Sequence, residues 1–430
     1  MDKLNILIIT YYWPPSGGSG VQRWMYFAKY LKKLGLNPIV LTVDPKYASY
    51  NLKDSSLQSQ IKDIETYKTF SLEILSLYSF FKSGNKTKSL PQSYIPNKSI
   101  FDKITSFIRL NIFIPDSRIG WNYFAFQKAK KIISTNKIDY VITTGPPHSS
   151  HLIGEKIYKK YKLKWIVDLR DPWSELFYLK DGFRFNFSKK INEKLETNVI
   201  EKADAIITTV GDRYHKILKA KITNPKKIHQ IYNGYDKLNY DKIEEIKPKK
   251  FNIVFTGMLT QNHNYETFYE VLKILNPKEN NLNLILTLAG RIDKKIIKIF
   301  SNKIELINKG YIDHNNAIST IKSSHLLINF NYKNTEETDM ISGKLIEYLA
   351  SGSPIINFSN FAKESEVIMK ISPKSFTVNN NNINQAITFI KNEYSKWLAG
   401  QYKKQNLTNI SSLSRENLTK KLFDIITKLK

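Results

Sequence analysis

Short apolar segments of strand length alternate with amphipathic helical segments along nearly the whole chain, which has 430 residues. Most of these segments are apolar throughout rather than at every second position, as is typical of parallel strands buried on both faces. Parallel strands that alternate with helices predict doubly wound α/β domains. Because the length exceeds that of one ordinary hydrophobic core, we expect two such domains.

The predicted strands form two groups along the chain. The first group comprises residues 5–10, 38–43, 140–144, 165–169, 205–210 and 229–232. The second comprises residues 251–256, 284–289, 304–307, 326–330, 354–357 and 375–378. A polar, charged run over 237–250 separates the two groups. We therefore predict an N-terminal domain over 1–236, a C-terminal domain over 250–400 and a terminal helix within 405–430, with ligands at the carboxyl ends of the strands.

The chain is strongly basic, with a formal net charge of +28, and it has no cysteine. Residues 1–240 carry 39 Lys and Arg against 20 Asp and Glu, a net charge of +19. This charge favours nucleic acid, anionic lipid or anionic small molecules as partners, or reflects compositional bias alone. The absence of cysteine excludes disulfides and thiolate metal sites. Since no signal peptide or membrane-spanning run is recognisable, we expect a cytoplasmic protein.

A long helical insertion, from about residue 50 to 135, interrupts the first group of strands. Its second half has apolar residues at helical spacing, interleaved with basic ones: Lys98, Ile100, Phe101, Lys103, Ile104, Phe107, Ile108, Arg109 and Ile112. This pattern predicts amphipathic helices. Their apolar faces either pack onto their own domain or contact a membrane surface.

The segment Ser342–Phe358 predicts a helix followed by a buried strand. Ser342 can cap this helix and Gly352 can end it. Lys344 and Glu347 then lie on neighbouring helical positions near the amino end. A cation beside a helix N-terminus suits a phosphate, and a carboxylate one turn later can bind a vicinal diol such as ribose. The alternative is an ordinary Lys–Glu pair on a surface helix.

Two strands of the first group are followed by glycines or histidines. Gly17, Gly18 and Gly20 follow the first strand and would let backbone amides approach an oxyanion. His148 and His151 follow the third strand, where each either faces the binding cleft or caps the next helix.

Asp168, Arg170 and Asp171 end another buried strand. Three charges at such a position are costly unless they are paired or used. They predict either a catalytic function for Arg170 and Asp171 or a structural Arg–Asp pair.

Glycine recurs where strands of the second group end. The segments are Thr256-Gly257-Met258, Ala289-Gly290-Arg291 and Gly310-Tyr311-Ile312. Glycine lets the backbone approach a flat ligand, and Arg291 and Lys344 supply positive charge. With Asp339 and Glu347 as carboxylates, these residues predict a pocket for a nucleotide diphosphate.

Together, these motifs resemble glycosyltransferase family 4, whose members are retaining enzymes with the GT-B fold. The resemblance spans nearly the whole chain and rests on the order and spacing of the glycine loop, Asp168-Leu-Arg-Asp-Pro-Trp173, Tyr232-Asn-Gly-Tyr235 and Gly343-Lys-Leu-Ile-Glu-Tyr-Leu-Ala-Ser-Gly-Ser-Pro354. It implies two Rossmann-like domains facing across a cleft, with the acceptor on the first domain and the sugar nucleotide on the second. It also implies that the last helix crosses back to the first domain.

The resemblance further implies roles for single residues. Glu347 matches the second glutamate of the family's E-x7-E motif, which binds the ribose, and Asp339 stands where the first glutamate would contact the donor sugar. The family's basic pair after the first strand of the second domain is missing, so phosphate binding falls to Lys344, with Arg291 or His263. The implied donor site comprises Gly257, Arg291, Ile312, Lys344, Leu345 and Glu347. The implied catalytic residues are His148, Arg170, Asp171 and Asp339, with Arg170-Asp171-Pro-Trp where other branches carry a histidine.

We therefore expect a retaining hexosyltransferase that moves a sugar from a nucleotide diphosphate sugar to a carbohydrate or polyprenyl-linked acceptor in cell-surface polysaccharide biosynthesis. No Asp-x-Asp motif occurs, so we expect neither a metal nor another cofactor. An anionic membrane surface is a further expected partner, with a peripheral location on its inner face. The sequence leaves the oligomeric state open.

Three alternatives stay open. A GT-B sugar-nucleotide epimerase would share the nucleotide pocket but need no large acceptor surface. A protein that binds nucleic acid would show aromatic and basic residues interleaved on exposed strands, or a recognisable binding module, and we find neither. A non-catalytic relative that binds membranes or acts as a scaffold is the third, given Asp339 and Met258 at positions where the family differs.

Overall fold

Two sheets with parallel strands organise the chain. The computed structural model describes residues 3–50, 53–73, 100–175, 183–333, 341–360 and 363–429. Contacts divide the chain into an N-terminal unit, residues 1–232 and 415–430, and a C-terminal unit, residues 233–414.

The N-terminal unit contains a seven-stranded sheet. Its strands are β1 (Asn5–Ile9), β2 (Asn37–Val43), β3 (Glu65–Thr69), β4 (Tyr140–Gly145), β5 (Lys164–Leu169), β6 (Ala205–Thr208) and β7 (Ile228–Gln230). They run parallel in the order β3-β2-β1-β4-β5-β6-β7. Because β2 and β4 lie on opposite sides of β1, the winding direction changes between β1 and β4, where ligands bind in sheets of this kind.

The C-terminal unit contains a six-stranded sheet. Its strands are β8 (Phe251–Leu259), β9 (Leu284–Ile292), β10 (Glu305–Asn308), β11 (Leu326–Phe330), β12 (Ile355–Phe358) and β13 (Phe376–Val378). They are parallel in the order β10-β9-β8-β11-β12-β13. The equivalent change of direction therefore lies between β8 and β11.

Helices connect the strands in both units. Those of the N-terminal unit are α1 (Ser19–Lys33), α2 (Ile100–Asn111), α3 (Asn122–Thr135), α4 (Ser149–Tyr161), α5 (Asn186–Lys202) and α6 (Asp212–Lys219). Those of the C-terminal unit are α7 (Lys237–Lys242), α8 (Glu266–Leu275), α9 (Lys294–Ser301), α10 (His314–Lys322), α11 (Gly343–Ala350), α12 (Lys363–Met369) and α13 (Ile383–Leu398). No helix in the described part of the chain is long and apolar enough to cross a bilayer.

The last helix, α14 (Arg415–Lys428), belongs to the N-terminal unit. It buries Leu418, Leu422 and Ile426 in the same core as α1, and Arg415 donates to Gln22 at 2.8 Å. The predicted fold class is thereby confirmed: two parallel, doubly wound sheets, and a terminal helix that returns to the first of them.

Three details differ from the sequence prediction. Strand β3 (Glu65–Thr69) was not predicted because it is a polar edge strand without an apolar run. Strands β8 and β9 continue past Gly257 and Gly290, which the sequence placed after the strand ends. The predicted linker over 237–250 begins with the short helix α7, capped by Asp236.

A buried ion pair links α1 to the end of β5. The carboxylate of Asp168 accepts hydrogen bonds from Arg23 Nη2 at 2.8 Å, Trp24 Nε1 at 2.5 Å and Thr144 Oγ1 at 2.8 Å. Both charged side chains are fully buried. The structural Arg–Asp pair that the sequence offered as an alternative thus exists, but its arginine is Arg23 and not Arg170.

We expect Asp168→Asn to lower the free energy of unfolding of the N-terminal unit by about 3–5 kcal/mol, because it leaves the Arg23 charge buried without a counter-charge. Chemical denaturation monitored by tryptophan fluorescence measures the change. Glu416→Gln, which breaks an exposed pair with Lys420 in the same unit, is the control and should cost at most about 1 kcal/mol. Equal effects of the two substitutions would contradict the proposed importance of the buried pair.

Candidate functional site

In the N-terminal unit, Arg170 lies directly after β5 and reaches the turn that follows β4. Its backbone N–H and its Nε both donate to the carbonyl of Gly145, at 3.0 and 3.1 Å, and its Nη2 donates to the carbonyl of Pro146. A Cβ atom on Gly20, in the first turn of α1, would collide with Nη1 of Arg170. The structure therefore brings together the glycine loop after β1, the proline turn after β4 and the charged end of β5.

The other glycines of that loop precede α1. Gly18 has a φ of +102° and occupies the position before the first helical residue. Its carbonyl accepts from the N–H of Val21 at 3.1 Å. Gly17 is half-buried beside it. The loop thus places a glycine with a left-handed backbone directly before α1, and whether its amides bind an oxyanion stays a prediction.

His148 and His151 pack against Trp173 instead of capping α4. The rings of His148 and Trp173 are nearly parallel, with centroids 5.0 Å apart, and His151 lies 5.6 Å from the same indole. Burial lowers the pKa of His148 well below its usual range and, together with the charge of Arg170, lowers that of His151 to about 3. Both rings are therefore neutral at pH 7. The cap alternative is wrong for His148, whose side chain makes no capping hydrogen bond.

Asp171 follows Arg170 and is half-buried. Burial raises the pKa of its carboxyl group above the usual range, although the charge of Arg170 opposes this rise. A carboxylate held partly out of water at the end of a strand is a candidate for stabilising positive charge on a bound substrate. Asp339, the remaining predicted catalytic residue, lies outside the described residues.

In the C-terminal unit, Lys344 lies in the first turn of α11 and points toward the end of β8. Its Nζ lies 4.0 Å from the centre of the Phe255 ring, and a Cβ on Gly257 would be 3.2 Å from Nζ. Within the described ranges, no carboxylate lies within ion-pair distance of this amine. Burial lowers the pKa of Lys344 to about 7. An amine of this kind suits an anionic ligand, since a ligand charge would restore the protonated form.

Glu347, one turn further along α11, is held by a histidine that the sequence did not single out. Its Oε1 is 2.8 Å from Nε2 of His314, the first residue of α10, and both side chains are mostly buried. The two helices follow β10 and β11, so their amino ends lie at the carboxyl edge of the sheet. The alternative of an ordinary surface Lys–Glu pair is wrong, because the partner of Glu347 is His314.

The two glycines inside β8 and β9 allow these strands to approach closely. Gly257 and Gly290 pair in register and have φ values of +117° and +125°. A Cβ on Gly290 would collide with the carbonyl of Gly257. Only glycine therefore fits at position 290.

The remaining predicted donor residues differ in their exposure. Arg291 is exposed at the end of β9, and Ile312 is half-buried two residues before His314. Leu345 is fully buried, and its N–H donates to the carbonyl of Ser342 at 3.0 Å. Leu345 is thus a core residue rather than a ligand contact. Ser342 precedes α11 as predicted, but its side chain makes no capping hydrogen bond.

His263 lies near Lys344, in the loop after β8. Its Nδ1 accepts a hydrogen bond from the N–H of Thr260 at 3.1 Å, and its ring lies against Tyr332 with centroids 4.2 Å apart. Burial and the nearby charge of Lys344 lower the pKa of His263 to about 3. The hydrogen bond assigns the proton of the neutral ring to Nε2. His263 is therefore a hydrogen-bond donor rather than a cation.

Sequence reasoning missed His314, Phe255 and Gly145 as parts of these sites. His314 could have been found, since it comes directly after Gly310-Tyr-Ile-Asp313, the segment that follows β10. The contacts of Phe255 and Gly145 depend on distant residues and have no local signal. Over the described ranges, no group of three or more His, Asp or Glu side chains could hold a metal ion.

Comparisons with known proteins find similarity in sequence to one glycosyltransferase and similarity in fold to several solved structures. No family model matches the chain. The capsular polysaccharide biosynthesis glycosyltransferase CapH of Staphylococcus aureus is 26% identical over 198 residues, which are 45% of this chain and 53% of CapH. The chain thus spans about half the length of the curated relative that it matches. Over that part, it is similar in sequence to a glycosyltransferase.

Solved structures match over the whole chain. A glycosyltransferase from Rickettsia africae has a TM-score of 0.59 at 16% identity and covers 100% of this chain and 99% of its own. HepE from Anabaena, solved with UDP and glucose, has a TM-score of 0.61 at 10% identity and covers 99% and 100%. A UDP-N-acetylglucosamine 2-epimerase from Listeria monocytogenes, described as putative, has a TM-score of 0.54 at 12% identity and covers 100% and 97%. At these identities the matches establish the GT-B fold.

We expect Lys344→Met to change the pH dependence of stability. The pKa of Lys344 is about 7 in the folded chain and about 10.4 in the unfolded chain. Between these values the unfolded chain binds more protons, so the penalty for burying this amine is full below pH 7 and disappears as the pH rises toward 10. The stability of the wild type relative to Lys344→Met should therefore increase over this range.

Urea denaturation at pH 6.5 to 9.5 measures this difference. Lys370→Met, at an exposed lysine of the same unit, is the matched control and should show a difference from the wild type that does not vary with pH. If the difference in free energy of unfolding between the wild type and Lys344→Met is also constant with pH, the amine of Lys344 is not buried as described.

Proposed function

We propose that this chain is a retaining glycosyltransferase of the family 4 type, which transfers a hexose from a nucleotide diphosphate sugar to a carbohydrate or lipid-linked acceptor. One observation carries the proposal: a single turn of α11 presents the Lys344 amine and the Glu347 carboxylate at the carboxyl edge of the C-terminal sheet. The amine has no carboxylate partner in the described part of the chain, and the carboxylate is fixed by His314.

In the proposed donor complex, the diphosphate lies at Lys344 and His263, and the ribose hydroxyls bind Glu347. An anion beside Lys344 favours the charged amine, so binding and protonation are coupled near pH 7. His263 donates from Nε2 without adding a charge. The complex of HepE with UDP and glucose makes UDP the first nucleotide to test.

In the proposed reaction, the bond between C1 of the sugar and the diphosphate oxygen breaks. The acceptor oxygen then bonds to C1 on the same face, and the acceptor proton passes to the departing diphosphate. Lys344 and His263 stabilise the charge that develops on this leaving group. We propose that no metal takes part, because these groups supply the stabilisation.

We propose that the N-terminal unit binds the acceptor. Asp171 is the proposed catalytic carboxylate of this unit, and Arg170 fixes the turn that contains Gly145 and His148. The similarity to CapH, a protein of capsular polysaccharide biosynthesis, supports a cell-surface glycan as the product. A polyprenyl-linked acceptor would place the protein at the inner face of an anionic membrane.

A sugar-nucleotide epimerase is the second candidate, because the Listeria protein, which is described as a putative epimerase, has the same fold. It would use the same nucleotide pocket without an acceptor. Incubation with UDP-sugars alone separates the two functions. An epimerase converts the sugar, whereas a transferase releases UDP and requires an acceptor for efficient turnover.

We expect Glu347→Gln to keep the fold and to weaken binding of UDP-sugar by roughly 1.5–3 kcal/mol, the usual range for a lost hydrogen bond to a charged group. Isothermal titration calorimetry measures this change. Glu366→Gln, at an exposed glutamate of α12, is the control and should bind as the wild type does. If Glu347→Gln binds UDP-sugar with unchanged affinity, Glu347 does not bind the ribose.

We expect Asp171→Asn to lower turnover roughly a hundredfold or more while donor affinity changes little, because its proposed contact forms in the transition state. Release of UDP in the presence of acceptor gives the turnover. Asp212→Asn, at an exposed aspartate of the same unit, should leave turnover unchanged. If Asp171→Asn instead retains activity within a few-fold and lowers the melting temperature, the residue is structural.

A further inference from the structure

Four phenylalanines expose unusually large fractions of their side chains at one place on the N-terminal unit. Phe107 of α2 is 36% exposed, and Phe183, Phe185 and Phe187 are 66%, 49% and 74% exposed. We call these four residues the phenylalanine patch. Ile104 and Ile112, on or next to α2, are also exposed, at 45% and 63%. Soluble monomers rarely leave such contiguous apolar surface in water unless it binds something.

Three rings of the phenylalanine patch contact one another, and Phe187 follows them in the first turn of α5. The ring of Phe185 meets that of Phe107 edge-on, with centroids 5.6 Å apart, and Phe183 lies 6.2 Å from Phe107 in a parallel arrangement. Asn111, at the end of α2, donates to the carbonyl of Phe183 at 2.9 Å and accepts from the N–H of Phe185 at 2.8 Å. These two hydrogen bonds hold segment 183–185 against α2 with its rings outward.

Basic residues flank the exposed rings. Residues 100–111 and 183–190 contain the basic residues Lys103, Arg109, Arg184, Lys189 and Lys190 and a single acidic one, Asp102. Aromatic rings on segments that are rich in cations match the interface of an anionic bilayer, where rings enter the boundary with the acyl chains and cations stay near the phosphates. An anionic bilayer offers both groups at once, phosphates for the cations and an apolar layer for the outward-facing rings.

We propose that the phenylalanine patch docks the protein on an anionic lipid bilayer. This inference rests on the proposed function in one respect: a lipid-linked acceptor would be found at the surface of a bilayer. The amphipathic pattern in the sequence covers residues 100–112. The structure adds the segment 183–187, which contributes three of the four exposed rings, and the Asn111 hydrogen bonds that fix it.

Co-sedimentation of the full chain with vesicles tests the proposal. One set of vesicles contains phosphatidylcholine alone and the other contains phosphatidylglycerol as well. We expect binding to the anionic vesicles only, weaker at about 1 M salt than at about 0.1 M because charge screening increases. The double variant Phe183→Glu/Phe187→Glu should bind roughly tenfold more weakly or worse, since two rings can no longer enter the interface.

Leu398→Glu is the matched control, because Leu398 is 61% exposed on α13 of the other unit. It introduces one negative charge, where the double variant introduces two, at an exposed apolar residue outside the phenylalanine patch, and it should bind as the wild type does. Thermal melts of all variants confirm that the exposed substitutions leave the fold intact.

Each of four results would overturn the proposal. These are no binding of the wild type to anionic vesicles at low salt, unchanged binding of the double variant, an equal loss in Leu398→Glu, or self-association of the wild type that the double variant abolishes. UDP-induced stabilisation of the same proteins is measured separately. Vesicle binding without UDP stabilisation would count against the proposed function alone, and the reverse result against the docking surface alone.

Discussion

The parallel pairing of strands in both sheets is the constraint on which the rest of the structure depends. Because all strands of a parallel sheet run in one direction, their carboxyl ends share one edge, and every loop that follows a strand can contribute to one site. Residues far apart in the sequence meet for this reason. Gly20 and Arg170 follow β1 and β5, and Gly145 is the last residue of β4. In the other sheet, His314 and Lys344 follow β10 and β11, and Gly257 lies near the end of β8.

Polar groups at such an edge are only partly in water, so each needs a partner or a ligand. Asp168 has three hydrogen-bond donors and is part of the framework. Glu347 is fixed by His314. Lys344 differs, because its nearest described partner is the face of Phe255, which attracts a cation more weakly than a carboxylate does. The partners of Asp168 mark it as a structural charge, whereas the lack of a carboxylate beside Lys344 among the described residues makes that amine suitable for a ligand.

The sequence was sufficient for the fold and for the helix that carries Lys344 and Glu347, because both produce local patterns. Near-continuous apolar strands predict parallel sheets, and the spacing of two residues places them on adjacent positions of a helix. The sequence was insufficient wherever a contact between distant residues determines the position or the partner of a side chain. The polar edge strand β3 lacks an apolar run, Leu345 turns inward at a position beside two ligand candidates, and Asp168 takes its partner from α1 rather than from its own motif. His314 and Glu347 are 33 positions apart, so the sequence can indicate that His314 lies after a strand but not that Glu347 is its partner.

Both candidate sites place a cation next to a glycine. A side chain at Gly20 would collide with Arg170, and one at Gly257 would come within 3.2 Å of the Lys344 amine. In each case the absence of a Cβ lets a long basic side chain cross the end of a strand. The two cations then differ in what they reach. Arg170 donates to two backbone carbonyls and fixes a turn, whereas the Lys344 amine contacts an aromatic face. A rigid arginine and an amine whose pKa is about 7 suit different tasks, the first to hold the protein and the second to respond to the charge of a ligand.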